Sequence, residues 1–167
     1  VGAAVSLARG EAGDSVYVAG SVGPCTRPHE SLVASEEGAV FDAFSEHVSL
    51  LENAGVDLIV LETFSKLPEL LLALRACSAC RVPVVASFTV DDQGMAVLGT
   101  GAAAFVEALD RNERVDAIGI NCGLGPSGAF VVLENVLSLT AKPLIAMPNA
   151  GMPREVNGRM LYLASPE

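Results

Sequence analysis

Hydrophobic positions in this chain come as short, nearly unbroken runs separated by segments with a helical period. Runs fall at residues 15–19, 56–61, 82–88, 115–120 and 143–146, and each is closed by a polar or turn-forming pair. Between them, apolar residues at 41, 44, 48 and 51 repeat at helical spacing and stop at Ala54-Gly55, a carboxyl-terminal cap signal. Residues 67–79, 102–109 and 130–139 also read as helices, with Pro68 tolerated in a first turn. Residues 1–13 read as the tail of a helix closed by Gly13. Asp91-Asp-Gln-Gly94 reads as a hairpin-like loop. Five strands thus alternate with four clear helices, the rhythm of βα units. Unbroken rather than alternating strands are expected where both faces of a parallel sheet are covered.

Such a rhythm fits an open doubly wound sheet or a (β/α)8 barrel. Gly20–Pro24, Glu62, Thr89, Asn121-Cys122 and Pro148-Asn149 fall at the ends of successive runs. In a barrel all strand tips surround one mouth, whereas an open sheet concentrates function at one switch point. The even marking favours the barrel. A complete barrel takes about 250 residues, so 167 residues hold about five of its eight units, one partial barrel domain over 1–167 lacking the first and last strands. A first residue that is Val, not Met, agrees with an internal segment of something longer. On its own, such a segment is expected to be inactive and prone to pair through its open edges.

Half of the residues (51%) are hydrophobic and 18% are charged, which excludes disordered and fibrous classes. No apolar run approaches the roughly 20 residues of a membrane-spanning helix, and no signal peptide is visible. A net charge of −10 argues against nucleic acid and anionic membranes as partners. The four cysteines do not read as a disulfide scaffold, and the expected location is cytoplasmic. Cys77 and Cys80 have C-x-x-C spacing but end a helical stretch with no second pair, and read as structural.

The stretch Ala117-Ile-Gly-Ile-Asn-Cys-Gly-Leu-Gly-Pro126 puts a cysteine at the tip of a buried strand, ahead of a glycine loop and a helix. Cys122 there is placed as a nucleophile or metal ligand, with the polar Asn121 beside it. Glu62 stands at the tip of 56–61, where a carboxylate can hold an ammonium, act as a base or bind a metal. Asn149, between Pro148 and Ala150-Gly151, suits a substrate hydrogen bond or a turn. Gly20-Ser-Val-Gly-Pro-Cys25 offers backbone N–H groups to an anion. His47 lies within a helix and reads as structural, while His29 lies in a loop on the mouth side.

Four motifs in order, Val18-Ala-Gly-Ser-Val-Gly-Pro24, Gly55-Val-Asp-Leu-Ile-Val-Leu-Glu-Thr-Phe64, Gly119-Ile-Asn-Cys-Gly-Leu-Gly-Pro126 and Pro148-Asn-Ala-Gly-Met-Pro153, resemble the homocysteine S-methyltransferase family. This family includes the homocysteine-binding module of methionine synthase and bacterial fusions to methylenetetrahydrofolate reductase. The resemblance implies a (β/α)8 barrel with a catalytic Zn²⁺ on three cysteines, of which Cys122 is the first. It further implies that Glu62 holds the homocysteine amino group; Asn121 and Asn149 are candidate substrate contacts read from their own positions. The expected methyl donor is methylcobalamin or methyltetrahydrofolate, S-methylmethionine, or betaine. The family's Gly-Gly-Cys-Cys stretch and its first-strand Asp-Gly motif are absent here, so the remaining two zinc ligands are expected beyond residue 167. Two other readings stand beside this one: another barrel enzyme (a pterin-binding methyltransferase or a lyase), or a truncated non-catalytic remnant.

Overall fold

A computed structural model describes residues 1–151 and 153–162. Its elements are α1 (Gly2–Ala12), β1 (Ala19–Val22), α2 (Glu37–Asn53), β2 (Leu58–Phe64), α3 (Leu67–Ala76), β3 (Val84–Phe88), α4 (Ala102–Asp110), β4 (Ala117–Asn121), α5 (Pro126–Val136), β5 (Leu144–Met147), β6 (Pro153–Val156) and β7 (Arg159–Tyr162). Strands β1 to β5 form one parallel sheet in sequential order, and β6 pairs with β7 in a separate antiparallel hairpin.

Sequential order decides the architecture. Right-handed crossovers between neighbouring parallel strands, taken always in the same direction, put every helix on one face. The side chains agree. Val22, Ile59, Leu61, Ala86, Ile118 and Ile120 share one face and belong to the core packed under the helices. Ser21, Val60, Val85, Ser87, Gly119 and Asn121 share the other, and it carries no helix among the described residues. This is five of the eight units of a (β/α)8 barrel, with the second face as its interior. Strands β3 and β4 are buried throughout.

Local chemistry sets the boundaries. The α2 stripe Val40, Phe44, Val48 and Leu51 is buried at helical spacing. Gly55, at φ 86°, ends this helix: its N–H reaches Glu52 O, and the N–H of Val56 reaches Leu51 O at 3.4 Å. That is a Schellman cap with Val56 and Leu51 as its apolar pair.

The first strand lies four residues later than its β-rich sequence predicts. Val16 and Tyr17 are 59% and 84% exposed, while pairing with β2 begins at Ala19 opposite Leu58. Asp57 sets this start, because its carboxylate accepts the Val18 N–H at 2.6 Å and its own N–H reaches Val18 O. Gly20, expected in a turn, sits within the strand. A Cβ there would come within 3.0 Å of the Leu51 methyls, so glycine lets α2 approach the sheet. The β6–β7 hairpin was not expected, although its Asn157-Gly158 turn, with φ of 52° and 73°, carries a recognised hairpin signal.

Candidate functional site at the strand tips

Glu62 is not past the end of its strand. β2 runs on to Phe64, and the register with β3 slips between Leu61 and Phe64. Two β2 residues, Glu62 and Thr63, therefore stand opposite Ser87 alone, a β-bulge. Glu62 keeps the inward phase of Leu58 and Val60 and takes a hydrogen bond from the Ser21 hydroxyl. Thr63 absorbs the extra residue at φ 65°, a region that β-branched side chains rarely occupy.

Asn121 ends β4 and is 3% exposed. Its Oδ1 accepts the Thr63 N–H at 2.9 Å and the Ser87 hydroxyl at 2.7 Å. Its Nδ2 donates to Thr63 Oγ1 at 2.7 Å and lies 3.4 Å from Cys122 Sγ. Gly119 makes room for this arrangement, since a Cβ there would meet Ser87 Oγ at 2.8 Å. One amide thus ties the tips of β2, β3 and β4 together.

Cys122 turns out of the sheet at φ 55°, half-buried, with Thr63 Oγ1 at 3.9 Å from its sulfur. Gly123 follows at φ 66°, where a Cβ would lie 2.5 Å from Val90 O, so only glycine fits. The loop then meets the tip of β5: Cys122 N–H reaches Met147 O at 3.2 Å, and Asn149 N–H reaches Leu124 O at 2.8 Å. Asn149 is half-buried against this loop. Glu62, Asn121, Cys122 and Asn149 thus all lie at the carboxyl ends of the strands.

The anion expected at the Gly20–Cys25 run is internal. Cys25 and Thr26 donate their N–H groups to Glu69 Oε1 at 2.8 Å each, and Thr26 Oγ1 donates to Oε2. Lys66 pairs with Glu69 at 3.1 Å, and the two side chains are 2% and 0% exposed. The Lys66 ammonium also donates to Thr26 Oγ1, Arg27 O and Glu30 O. This buried pair clamps the loop after β1, and its ammonium is held inside the fold by Glu69, Thr26 and two carbonyls. His29 is exposed in that loop, and His47 is half-buried on α2.

Ser21, Thr63, Ser87 and the Lys66–Glu69 pair did not stand out in the sequence as site components. Ser87 carried a signal, being the one polar residue in Val-Val-Ala-Ser-Phe. Cys77 and Cys80 lie away from the tips, in the turn after α3 that precedes β3. Burial pushes the Cys77 thiol up to about 12, and burial and the Glu52 charge raise that of Cys80. These are the opposite of a reactive pair.

Among the described residues no three His, Cys, Asp or Glu side chains converge to hold a metal. Cys122 by itself fits as one thiolate ligand: the residue is half-buried and its sulfur lies 3.4 Å from the Asn121 amide nitrogen. No helix among them is long and apolar enough to cross a membrane.

Comparison with known proteins agrees with the partial-barrel fold. The chain is 34% identical over 143 residues to methionine synthase of Mycobacterium tuberculosis, covering 82% of this chain and 12% of that protein. It is 33% identical over 106 residues to homocysteine S-methyltransferase 4 of Zea mays, covering 62% of this chain and 31% of that one. The homocysteine methyltransferase MmuM from Escherichia coli superposes with a TM-score of 0.69 at 28% identity in its apo form, covering 88% of this chain and 54% of MmuM. Its metallated form matches equally well, at 0.69. The chain therefore spans about half the length of that enzyme, and much less of the longer relatives. The family model described as homocysteine S-methyltransferase matches residues 1–167; the chain belongs to the homocysteine S-methyltransferase family.

Proposed function

We propose that this chain forms the homocysteine-activating part of a zinc-dependent homocysteine S-methyltransferase. The supporting observation is the bonded link from Cys122 through Asn121 to the Thr63 bulge beside Glu62. It sets a soft sulfur donor and an inward carboxylate on one mouth, as an amino-acid thiol requires. Cys122 supplies one zinc ligand, and two further thiolates come from outside these residues. Zinc, when bound, favours the thiolate of homocysteine at neutral pH, where a free thiol with a pKa near 8.5 is mostly protonated.

Glu62 pairs with the substrate ammonium. Among the described residues it has no basic partner, so its charge is available. Asn149 borders the substrate from the β5 tip. In the reaction the homocysteine sulfur bonds to the methyl carbon as the donor–methyl bond breaks, and the thiol proton leaves to solvent. The donor is methylcobalamin or methyltetrahydrofolate, S-methylmethionine, or betaine. A cytoplasmic setting suits a chain whose four cysteines are all unpaired.

The test uses the full-length protein. Cys122→Ser is expected to strip zinc and methyl transfer together, while Glu62→Gln weakens homocysteine binding with zinc retained. Normal zinc content in Cys122→Ser would refute the metal assignment. Loss of zinc in Glu62→Gln would refute the role given to the carboxylate.

A further inference from the structure

The carboxamide of Asn121 is saturated. A primary amide offers two acceptor sites on oxygen and two N–H donors, and here the partners are Thr63 N, Ser87 Oγ, Thr63 Oγ1 and Cys122 Sγ. Its orientation follows from chemistry, because a backbone N–H only donates and so must face the oxygen. At 3% exposure, a contact to homocysteine would break one of these bonds and leave a buried polar group unpaired. Two of the four bonds end on Thr63, the residue held at φ 65°. That residue is the bulge that keeps Glu62 turned inward while Phe64 returns to the core.

Resting on the proposed roles of Glu62 and Cys122, we infer that Asn121 is a positioning residue that couples them, not a contact to substrate. Its amide holds the strained Thr63 and thereby aims Glu62, and it places an N–H against the Cys122 sulfur. Hydrogen bonds of this kind set the orientation and donor strength of a metal ligand.

Three readouts on the full-length protein test this. The first is a thermal double-mutant cycle of Asn121→Ala and Thr63→Gly. Glycine takes positive φ without strain, so the fall in Tm caused by Asn121→Ala should shrink to about half or less in the glycine background. Equal falls in both backgrounds would overturn the bracket on Thr63. The second is cobalt(II) loading, read by the thiolate-to-metal charge-transfer band. Removing the N–H makes sulfur a stronger donor, so Asn121→Ala should move the band to lower energy. An unmoved band would overturn the contact with sulfur. A wild-type protein without any band would overturn the metal assignment of Cys122 and the sulfur half of this inference, while the thermal cycle still decides the bracket. The third is the homocysteine KM. If Asn121 acts through Glu62, adding Asn121→Ala to Glu62→Gln should change KM by less than about twofold. Full multiplication of the two single effects would mean an independent substrate contact, and would overturn the proposal.

Discussion

The two ends of the parallel sheet use their polar residues in opposite ways. At the amino end, three carboxylates each cap a backbone N–H and meet an arginine. Asp57 takes Val18 N–H and Arg9, Asp116 takes Val84 N–H and Arg114, and Glu52 takes Arg81 through both its backbone and side chain. At the carboxyl end, Glu69 is consumed in clamping a loop, but Glu62 meets only a serine hydroxyl among the described residues. The cysteines divide likewise, with Cys77 buried before β3 and Cys122 half-open after β4. Backbone strain is uneven too: Thr63 and Cys122, both at positive φ, lie at the tips. Asp57, Asp116 and Glu52 are matched to arginines within the fold, whereas Glu62 has no basic partner among the described residues and Cys122 stays half-open. Strain and unmatched polar groups are stabilised by surrounding structure where function needs them.

The largest effect should come from the clamp that serves both stability and the mouth. Lys66→Met leaves Glu69 charged and buried without its partner, at a cost of about 3–5 kcal/mol, read by denaturant unfolding. A smaller loss, below about 1 kcal/mol, would mean that the three N–H and O–H donors to Glu69 suffice alone. Next, Cys122→Ser should reduce methyl transfer roughly 100-fold or more, since losing an outer partner of a ligand already costs 10–100-fold. Cys77→Ala should leave activity within about twofold and lower stability by about 1 kcal/mol. Equal activity losses at both cysteines would erase the contrast between the two ends.

Smaller effects appear against pH. The Val18 N–H and Arg9 hold the Asp57 carboxyl below the usual carboxylate range. A lowered folded pKa means that the stability it lends is present at neutral pH and lost as the pH falls through that lowered value. Asp57→Asn should flatten the acid limb of Tm against pH. Cys77 acts at the other limb. Its thiol is raised from 9.0 to about 12, so its contribution is complete below pH 9 and disappears as the pH rises towards 12. Cys77→Ala should flatten that limb, and an unchanged alkaline profile would show that the thiol does not set it.

The bounds of β1 and the end of β2 were not legible in the chain itself, whereas the order of βα units, the tips of β3, β4 and β5 and the cysteine at the end of β4 were. They follow from short-range causes: unbroken apolar runs, helical spacing, and glycines where a turn or cap needs positive φ. The Gly55 cap is such a case, since its cause lies within a few residues. What the chain could not settle by itself depends on partners distant in sequence. The start of β1 is decided by Asp57, 39 residues from Val18. Glu69 occupies the N–H groups of Cys25, the last residue of the Gly20–Cys25 run, and of its neighbour Thr26 from more than 40 residues away. The bulge at Thr63 is hydrogen-bonded to Asn121, 58 residues on, whose amide partners come together only when three strands lie side by side. Residue type and local pattern thus placed the chemistry at the mouth. Which atoms are consumed and which stay available was decided by tertiary packing, because a hydrogen bond between strands exists only once their register is set.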